Sequence, residues 1–260
     1  MNSTPCPVCK KETHFLVTKQ DRFNEPYTYV VCQNCRFLFE KDLALDPDHL
    51  AKKVANIYQK DYFESTDTGW KMRGDGFLKI VKKIIKLYGF FTRKKASILD
   101  YGGGNGYLAS KLSQHFNVSY YDKFEKPSIA GGYRILESPA KKDIMYAVEL
   151  VEHITDIHEW GFLKELSPDI FVFTTCLSDN ISHKEFSNWP YINPDGGHTA
   201  IYSRKSLYLL GKKYGFLYFF FPNIATHIFL KSKLLSRFNV VAIEYFLYSI
   251  FRRLKHIIEK

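Results

Sequence analysis

From residue 97 onward, short apolar runs alternate with segments of helical periodicity, and this alternation restricts the possible folds more than any other feature. Seven runs read as strands, among them ASILDY, DIMYAVEL and DIFVFTT. The helix-like segments between them predict a doubly wound α/β fold, in which helices cover both faces of a mostly parallel sheet. The last two runs, LYFFFP and THIFLK, are only a few residues apart. A parallel crossover needs a much longer connection, so we expect this pair to form an antiparallel hairpin.

Three helical predictions concern the segments around this sheet. Periodic apolar positions predict helices over residues 46–60 and 77–91, and the polar, glycine-containing segment 62–76 between them reads as a loop. The segment VEHITDIHEWGFLKEL, residues 151–166, reads as one further helix after the fourth strand.

Four of the five cysteines form two CxxC pairs near the N-terminus. Cys6 and Cys9 make the first pair, and Cys32 and Cys35 the second, with 22 residues between them. Four thiolates brought together from two tight turns suit a structural zinc ion, and no ligand position is left open for catalysis. Two disulfides are the alternative, but a cytoplasmic chain should keep its thiols reduced. We therefore predict a zinc-ribbon-like module, whereas Cys176 reads as a buried structural thiol.

A glycine-rich loop follows the first strand of the predicted sheet. The stretch DYGGGNG runs from Asp100 to Gly106 between a strand and a helix, a context that lets a ligand touch bare backbone. Asp122 ends the next strand, where an acid can bind both hydroxyls of a ribose. NAD and S-adenosylmethionine (SAM) both contain a ribose. The carboxylate of Asp100 suits the amino group and sulfonium of SAM better than the pyrophosphate of NAD.

The loop and the fourth strand together resemble a known enzyme family. LDYGGGNGYLA is similar to the first motif of class I SAM-dependent methyltransferases, and DIMYAVELVEHITD is similar to their fourth-strand motif. The resemblance extends over residues 58–230. The cysteine module resembles the N-terminal zinc module of some sugar methyltransferases, including C-methyltransferases of nucleotide-linked deoxysugars. The resemblance implies methyl transfer from SAM to a small molecule, with a sugar, nucleotide-sugar or glycan precursor as the favoured acceptor.

The same resemblance implies a set of cofactor-binding residues. They are Asp100, Gly102, Gly104, Gly106, Asp122, Glu149, Tyr62 and Trp70. The glycines would pass beneath the methionine part of SAM, and the two aspartates would hold its amino group and its ribose. The glutamate would face the cofactor, and the two aromatic residues would close over it as a lid. Plain packing within the lid is the alternative role for these aromatics.

Methyl transfer to a hydroxyl requires alignment of the acceptor and removal of a proton, and an imidazole suits the second task. His198 is the leading candidate for the base, because it follows a Gly-Gly turn in a segment that borders the substrate pocket in the resembled family. His153, in the fourth-strand motif, is the second catalytic candidate. Trp189 and Tyr191 are candidates for a wall that stacks against a sugar. A structural turn histidine is the alternative for His198.

The net charge of +10 is unevenly distributed. Residues 77–99 hold seven Lys or Arg and no acid, and residues 231–260 hold seven against two Glu. Such basic surfaces attract nucleic acid, anionic lipid or phosphorylated substrates, and they are also typical of solvated helix faces. The segment 232–260 predicts a basic amphipathic helix that lies on a membrane surface, docks on a partner or on its own domain, or pairs with a second copy. The Asn-Pro-Pro-Tyr motif of base amino-methyltransferases is absent at the fourth strand, which disfavours nucleic acid as the acceptor.

The sequence thus predicts four consecutive parts. These are a zinc-ribbon-like module (1–42), a helical lid and linker (43–95), a SAM-binding methyltransferase domain (96–231) and a basic C-terminal helix (232–260). No signal peptide pattern and no apolar run of about 18 residues is present, so we expect a cytoplasmic protein with peripheral contact to the inner membrane surface. Two other functions stay open: a nucleic-acid-directed methyltransferase that uses the zinc module and basic faces, and a non-catalytic SAM-binding module.

Overall fold

The computed structural model divides the chain into two compact units and describes residues 4–58, 69–181, 183–186, 188–221 and 225–235. The first unit consists of Met1–Asp67, Glu149–Phe162 and Thr175–Tyr214. The second consists of Thr68–Val148, Leu163–Thr174 and Gly215–Lys260. Each unit is assembled from three separate segments of the chain. The division therefore does not follow the four consecutive ranges expected from the sequence.

The strands and helices are numbered in chain order. The strands are β1 Thr13–Gln20, β2 Pro26–Cys32, β3 Leu38–Glu40, β4 Ile98–Tyr101, β5 Val118–Tyr121, β6 Arg134–Ile135, β7 Ile144–Val148, β8 Ile170–Thr174, β9 Ala200–Ile201, β10 Phe216–Phe221 and β11 Thr226–Lys231. The helices are α1 Asp42–Leu45, α2 Pro47–Tyr58, α3 Gly69–Thr92, α4 Tyr107–Ser113, α5 Phe162–Leu166, α6 His183–Phe186, α7 Arg204–Lys213 and α8 Ser232–Leu235.

The second unit contains a seven-stranded sheet in the order β10-β11-β8-β7-β4-β5-β6. Strands β4 to β8 pair in parallel, and β11 is antiparallel to both β8 and β10. The central strands β7 and β8 are buried along almost their whole length, as expected for parallel strands covered on both faces. The structure confirms the predicted doubly wound sheet with its closing antiparallel hairpin.

The long helix α3 packs on this sheet through the apolar stripe that its sequence predicts. Phe77, Val81, Ile84, Ile85 and Tyr88 are all buried in the core of the second unit. The helix begins at Gly69, however, inside the segment 62–76 that the sequence analysis assigned to a loop. Glycine costs only about 1 kcal/mol in a helix interior, and the buried stripe outweighs that cost.

The predicted helix over residues 151–166 is wrong as a single element. It consists of two 3-10 turns, Val151–His153 and Ile157–Gly161, followed by α5. Asp156 causes the break, because its carboxylate accepts a hydrogen bond from the amide of His158 and starts a new turn. Glu159 completes this capping box by accepting from the amide of Asp156.

The first unit contains a four-stranded sheet in the order β1-β2-β3-β9. The hairpin β1–β2 comes from the cysteine-containing segment, but β9 comes from much later in the chain and pairs with β3 through Leu38 and Ile201. Phe37 stacks on Tyr202 with ring centroids 5.0 Å apart, and the indole N–H of Trp160 donates to the Tyr202 hydroxyl at 3.0 Å. The N-terminal segment therefore shares its core with later parts of the chain.

Some predicted features lie outside the described residues. Tyr62 and residues 236–260, which make up most of the predicted C-terminal helix, belong to this group. Trp70 lies in α3, but its side chain is not described. Among the residues that the structure describes, no helix is both long and apolar enough to cross a bilayer.

Candidate active site

The glycine-rich loop connects β4 to α4 and has the backbone geometry that glycine allows. Gly102, Gly104 and Gly106 have φ values of 73°, 53° and 84°, all in the left-handed region. A Cβ atom built on Gly104 meets none of the described residues within 4 Å, whereas one on Gly106 would lie 2.5 Å from the hydroxyl of Tyr133. Gly104 thus offers bare backbone to open space, and Gly106 permits close packing at the start of α4.

Asp122, predicted to bind ribose, also fixes this loop. One carboxylate oxygen accepts the amide of Gly104 at 2.9 Å, and the other accepts the amides of Phe124 and Glu125 at 2.8 and 2.9 Å. The hydroxyl of Tyr120, in the strand β5 that precedes Asp122, donates to the carbonyl of Gly104. The oxygen that accepts only the Gly104 amide, Oδ2, has a second lone pair, so the side chain can still accept a ligand hydroxyl.

Asp100, at the end of β4, has an unpaired buried oxygen. Its side chain is 2% exposed, and Oδ2 has no hydrogen-bond partner within the described part of the chain. Burial raises the pKa of Asp100 to about 7, the charge of Asp122 acts in the same direction, and the neighbouring Tyr146 hydroxyl opposes them. A Cβ on Gly103 would lie 2.9 Å from the Asp100 carboxyl carbon, which shows that the loop passes directly over this group.

These residues fit SAM. The unpaired oxygen of Asp100 offers an acceptor for an amino cation, the open side of Gly104 offers backbone to a ligand, and Asp122 offers an acceptor for ribose hydroxyls. Gly103 and Tyr120 belong to the same site and were missed by the sequence analysis. The triplet of glycines was the signal for Gly103, but nothing in the sequence indicated that Tyr120 reaches the loop.

The remaining predicted site residues lie in the first unit. Glu149 directly follows β7 and has a φ of 49°, a left-handed conformation that is uncommon for a side chain of this type. His153 ends the first 3-10 turn, and its ring centroid lies 5.0 Å from that of His198. The structure therefore places both catalytic candidates, His153 and His198, side by side.

His198 is held in one orientation by hydrogen bonds on both its ring and its backbone. Nδ1 donates to the carbonyl of Tyr191 at 2.9 Å, and the carbonyl of His198 accepts from the hydroxyl of Tyr29 at 2.8 Å. Lys19 of β1 supports the same segment by donating to the carbonyl of Ile192 at 2.8 Å. Because Nδ1 carries the proton, the lone pair of the neutral ring lies on Nε2. Burial lowers the pKa of His198, partly offset by the Tyr191 carbonyl and the charge of Glu149.

His153 has a different environment. Its Nδ1 lies 2.8 Å from the hydroxyl of Tyr58 and 3.3 Å from the carbonyl of Gly197. Burial and, to a smaller extent, the charge of a protonated His198 lower the pKa of His153 to about 3. A group with such a pKa holds a proton poorly at neutral pH, which makes His153 the weaker candidate for a general base.

Glu152 joins this cluster and was missed by the sequence analysis. Its side chain is fully buried, with Oε1 accepting the hydroxyl of Tyr191 at 2.7 Å and Oε2 lacking a partner among the described residues. Ligand atoms of Glu152, His153 and His198 all lie within 4.8 Å of one another. Tyr191, predicted with Trp189 as a sugar-stacking wall, directs its hydroxyl to Glu152 and Thr175. The Glu-His pair in AVELVEH was the only sequence signal for this grouping.

The four paired cysteines also converge. The sulfur of Cys6 lies 3.6 Å from that of Cys35, the sulfur of Cys9 lies 3.4 Å from that of Cys32, and all four are within 4.8 Å of one another. Zinc–sulfur bonds of about 2.3 Å in a tetrahedron require sulfurs roughly 3.8 Å apart, so the donor set and spacing fit zinc. Cys176 is partly rather than fully buried.

The sheet order, the glycine loop and its two carboxylates define the class of protein: an α/β fold with groups that fit a ribose and an amino cation. A family model described as a methyltransferase domain matches residues 72–218, more than half of the chain. The chain belongs to this family and is a SAM-dependent methyltransferase. No curated protein matches the sequence significantly.

Solved structures with the same fold include small-molecule methyltransferases. The 1,6-didemethyltoxoflavin-N1-methyltransferase of Burkholderia thailandensis, solved with 1,6-didemethyltoxoflavin and S-adenosylhomocysteine, is 14% identical with a TM-score of 0.50, over 83% of this chain and 99% of that one. The magnesium protoporphyrin IX methyltransferase of Synechocystis, solved with S-adenosylhomocysteine, is 12% identical with a TM-score of 0.43, over 72% and 96%. At these identities the similarity concerns the fold alone.

Proposed function

We propose that this methyltransferase acts on a hydroxyl of a small molecule, that the acceptor is a sugar or glycan precursor, and that His198 is the general base. The observation that carries the proposal is the orientation of His198: its Nδ1 is committed to the Tyr191 carbonyl, which leaves the lone pair on Nε2. The partly exposed ring of Trp189, 5.4 Å from the ring of Tyr191, supports a sugar acceptor, because aromatic faces commonly stack on sugar rings.

Different residues of the chain bind the cofactor and remove the proton. When bound, SAM supplies a methyl carbon activated by its sulfonium. Asp100 holds the amino group, Asp122 holds the ribose, and Gly104 gives the ligand access to the backbone. His198 takes the acceptor proton on Nε2 while the oxygen–carbon bond forms and the carbon–sulfur bond breaks, and S-adenosylhomocysteine is released. The Tyr191 carbonyl stabilises the resulting imidazolium through Nδ1–H.

A panel of acceptors tests the proposed substrate class. The purified protein would be incubated with SAM and either nucleotide-linked sugars, free sugars, aromatic heterocycles or an RNA oligonucleotide, and the release of S-adenosylhomocysteine would be measured. We expect turnover with members of the sugar classes only. Turnover confined to the heterocycles or the RNA would refute the sugar assignment while leaving the methyltransferase activity intact.

The pKa of Asp100 predicts a pH dependence of SAM binding. Below pH 7 the buried carboxyl is mostly protonated and attracts the amino cation weakly, and above pH 7 it is charged. We expect the affinity for SAM to rise about five- to tenfold between pH 6 and pH 7.5, measured by calorimetric titration. Asp100→Asn, which cannot ionise, should bind weakly with a flat profile. An equally steep profile in Asp100→Asn would show that another group is responsible.

We also propose that Cys6, Cys9, Cys32 and Cys35 hold a structural zinc ion. The mutual sulfur distances support this role, and so do the contacts of the second CxxC pair, Cys32 and Cys35. The carbonyl of Cys35 accepts a hydrogen bond from the side chain of Ser203, which caps α7. A metal at this position would therefore support the later segment of the first unit as well as the N-terminal hairpin.

A further inference from the structure

We propose that Glu152, His153 and His198 form a site for a divalent transition-metal cation, and that a bound cation switches methyl transfer off by occupying the lone pair of His198. The inhibitory part rests on the proposed role of His198 as the base. One ligand atom from each residue lies within 4.8 Å of the others. One carboxylate and two imidazoles form a set that zinc and its neighbours in the first transition row bind well.

One oxygen of the buried Glu152 carboxylate is available to a cation. Its side chain is fully buried, and Oε2 has no hydrogen-bond partner among the residues that the structure describes. A buried carboxylate oxygen without a partner is costly, and native proteins seldom leave one unexplained. Because Oε1 is already fixed by the Tyr191 hydroxyl at 2.7 Å, Oε2 is the atom left to contact a cation.

Both imidazoles are oriented by contacts on Nδ1. Nδ1 of His198 donates to the Tyr191 carbonyl, so Nε2 carries the lone pair that a metal needs. Nδ1 of His153 contacts the Tyr58 hydroxyl at 2.8 Å and the Gly197 carbonyl at 3.3 Å. Imidazoles that bind metals are usually oriented by such a contact on one ring nitrogen, which fixes the direction of the other.

The backbone joins the two segments that carry these ligands, so the site is built before any ion arrives. The amide of Thr199 donates to the carbonyl of Glu152 at 2.9 Å, and its hydroxyl donates to the carbonyl of Ile154 at 2.5 Å. Thr199 follows His198 directly, and Glu152 precedes His153. These bonds hold the three candidate ligands in register at little conformational cost.

A cobalt titration tests the site in protein loaded with a single equivalent of zinc, which the four thiolates of the cysteine cluster bind first. Cobalt bound by thiolates absorbs intensely through charge transfer, whereas cobalt bound by imidazole and carboxylate shows only weak visible bands, so the cysteine cluster and the new site are told apart. We expect one equivalent of cobalt with the weak spectrum. At a free cobalt concentration about ten times the Kd, methyl transfer should fall about tenfold and recover on chelation, while the affinity for SAM stays unchanged.

Variants decide whether the named residues bind the ion. Glu152→Gln removes the charge but keeps an acceptor for Tyr191, and His153→Gln removes one imidazole; each should weaken cobalt binding at least about tenfold. His115→Ala, at an exposed position of the second unit, is the matched control and should bind cobalt like the wild type.

Three outcomes would overturn the proposal: no weak-spectrum equivalent in the wild type, unchanged affinity in both variants, or activity that persists or rises with cobalt bound. A separate result would refute the role of His198 as the base: a His198→Ala variant that stays active without cobalt.

Discussion

Replacing Cys35 with serine is expected to unfold the first unit and abolish methyl transfer while SAM binding survives. A structural zinc site contributes on the order of 10 kcal/mol, which is comparable to the whole stability of a typical domain. The loss of structure would extend beyond the N-terminal hairpin. The Cys35 carbonyl accepts from Ser203, and the neighbouring Arg36 donates to the carbonyls of Ser178 and Ile181 at 3.3 and 2.8 Å.

Three measurements check this expectation. Zinc content, thermal unfolding and SAM titration would be compared for the wild type, Cys35→Ser and Cys176→Ser, which removes a thiol outside the cluster. Cys35→Ser should lose its zinc and show an early unfolding transition, with turnover reduced at least about 100-fold. The affinity for SAM should fall far less than turnover, because Asp100, Gly104 and Asp122 lie in the second unit, whereas Glu149 lies in the first. A zinc-free Cys35→Ser protein with the wild-type transition would refute the structural role of the metal.

Replacing His198 with alanine is expected to lower kcat about 10²- to 10⁴-fold, the usual contribution of a general base. The affinity for SAM should stay the same, because the variant leaves the glycine loop and its carboxylates intact. Loss of the single Nδ1–H bond to the Tyr191 carbonyl should cost only about 1 kcal/mol of stability.

Chemical rescue separates a base from a structural turn histidine. Added imidazole can occupy the space left in His198→Ala and accept the acceptor proton, so turnover should recover in proportion to the imidazole concentration. His158→Ala, at an exposed position of the same unit, should keep the wild-type rate. If His198→Ala is unstable and imidazole has no effect on its turnover, His198 has a structural role and the base must be sought elsewhere.

The parts of the fold that the sequence predicted well depend on local patterns. The strands β4 to β8 follow apolar runs of the right length, and the short gap between β10 and β11 leaves room only for a hairpin. The buried face of α3 follows the apolar stripe from Phe77 to Tyr88. The errors also have local causes. The glycines in the first turns of α3 led to the prediction of a loop there, and the cap formed by Asp156 divided a segment that has helical periodicity.

The candidate site also contains residues that the sequence could predict and residues that it could not. The glycine loop and its two aspartates could be predicted, because each sits at the end of a strand in a recognisable order along the chain. Glu152 could not be recognised as a neighbour of His153 and His198 in the fold, since its partner Tyr191 is distant in sequence. Tyr58 likewise meets His153 through packing within the first unit, and no spacing rule connects the two positions.

The sequence by itself determined the parallel sheet with its antiparallel end, the glycine-rich loop between Asp100 and Gly106, and the two CxxC pairs, because period, turn residues and spacing act over short distances along the chain. Only the tertiary structure decided that β9 completes the sheet of the cysteine-containing segment and that Glu152, His153 and His198 converge. These contacts join residues far apart in sequence, and they form because a short hairpin and a few turns can bury their apolar faces only against each other.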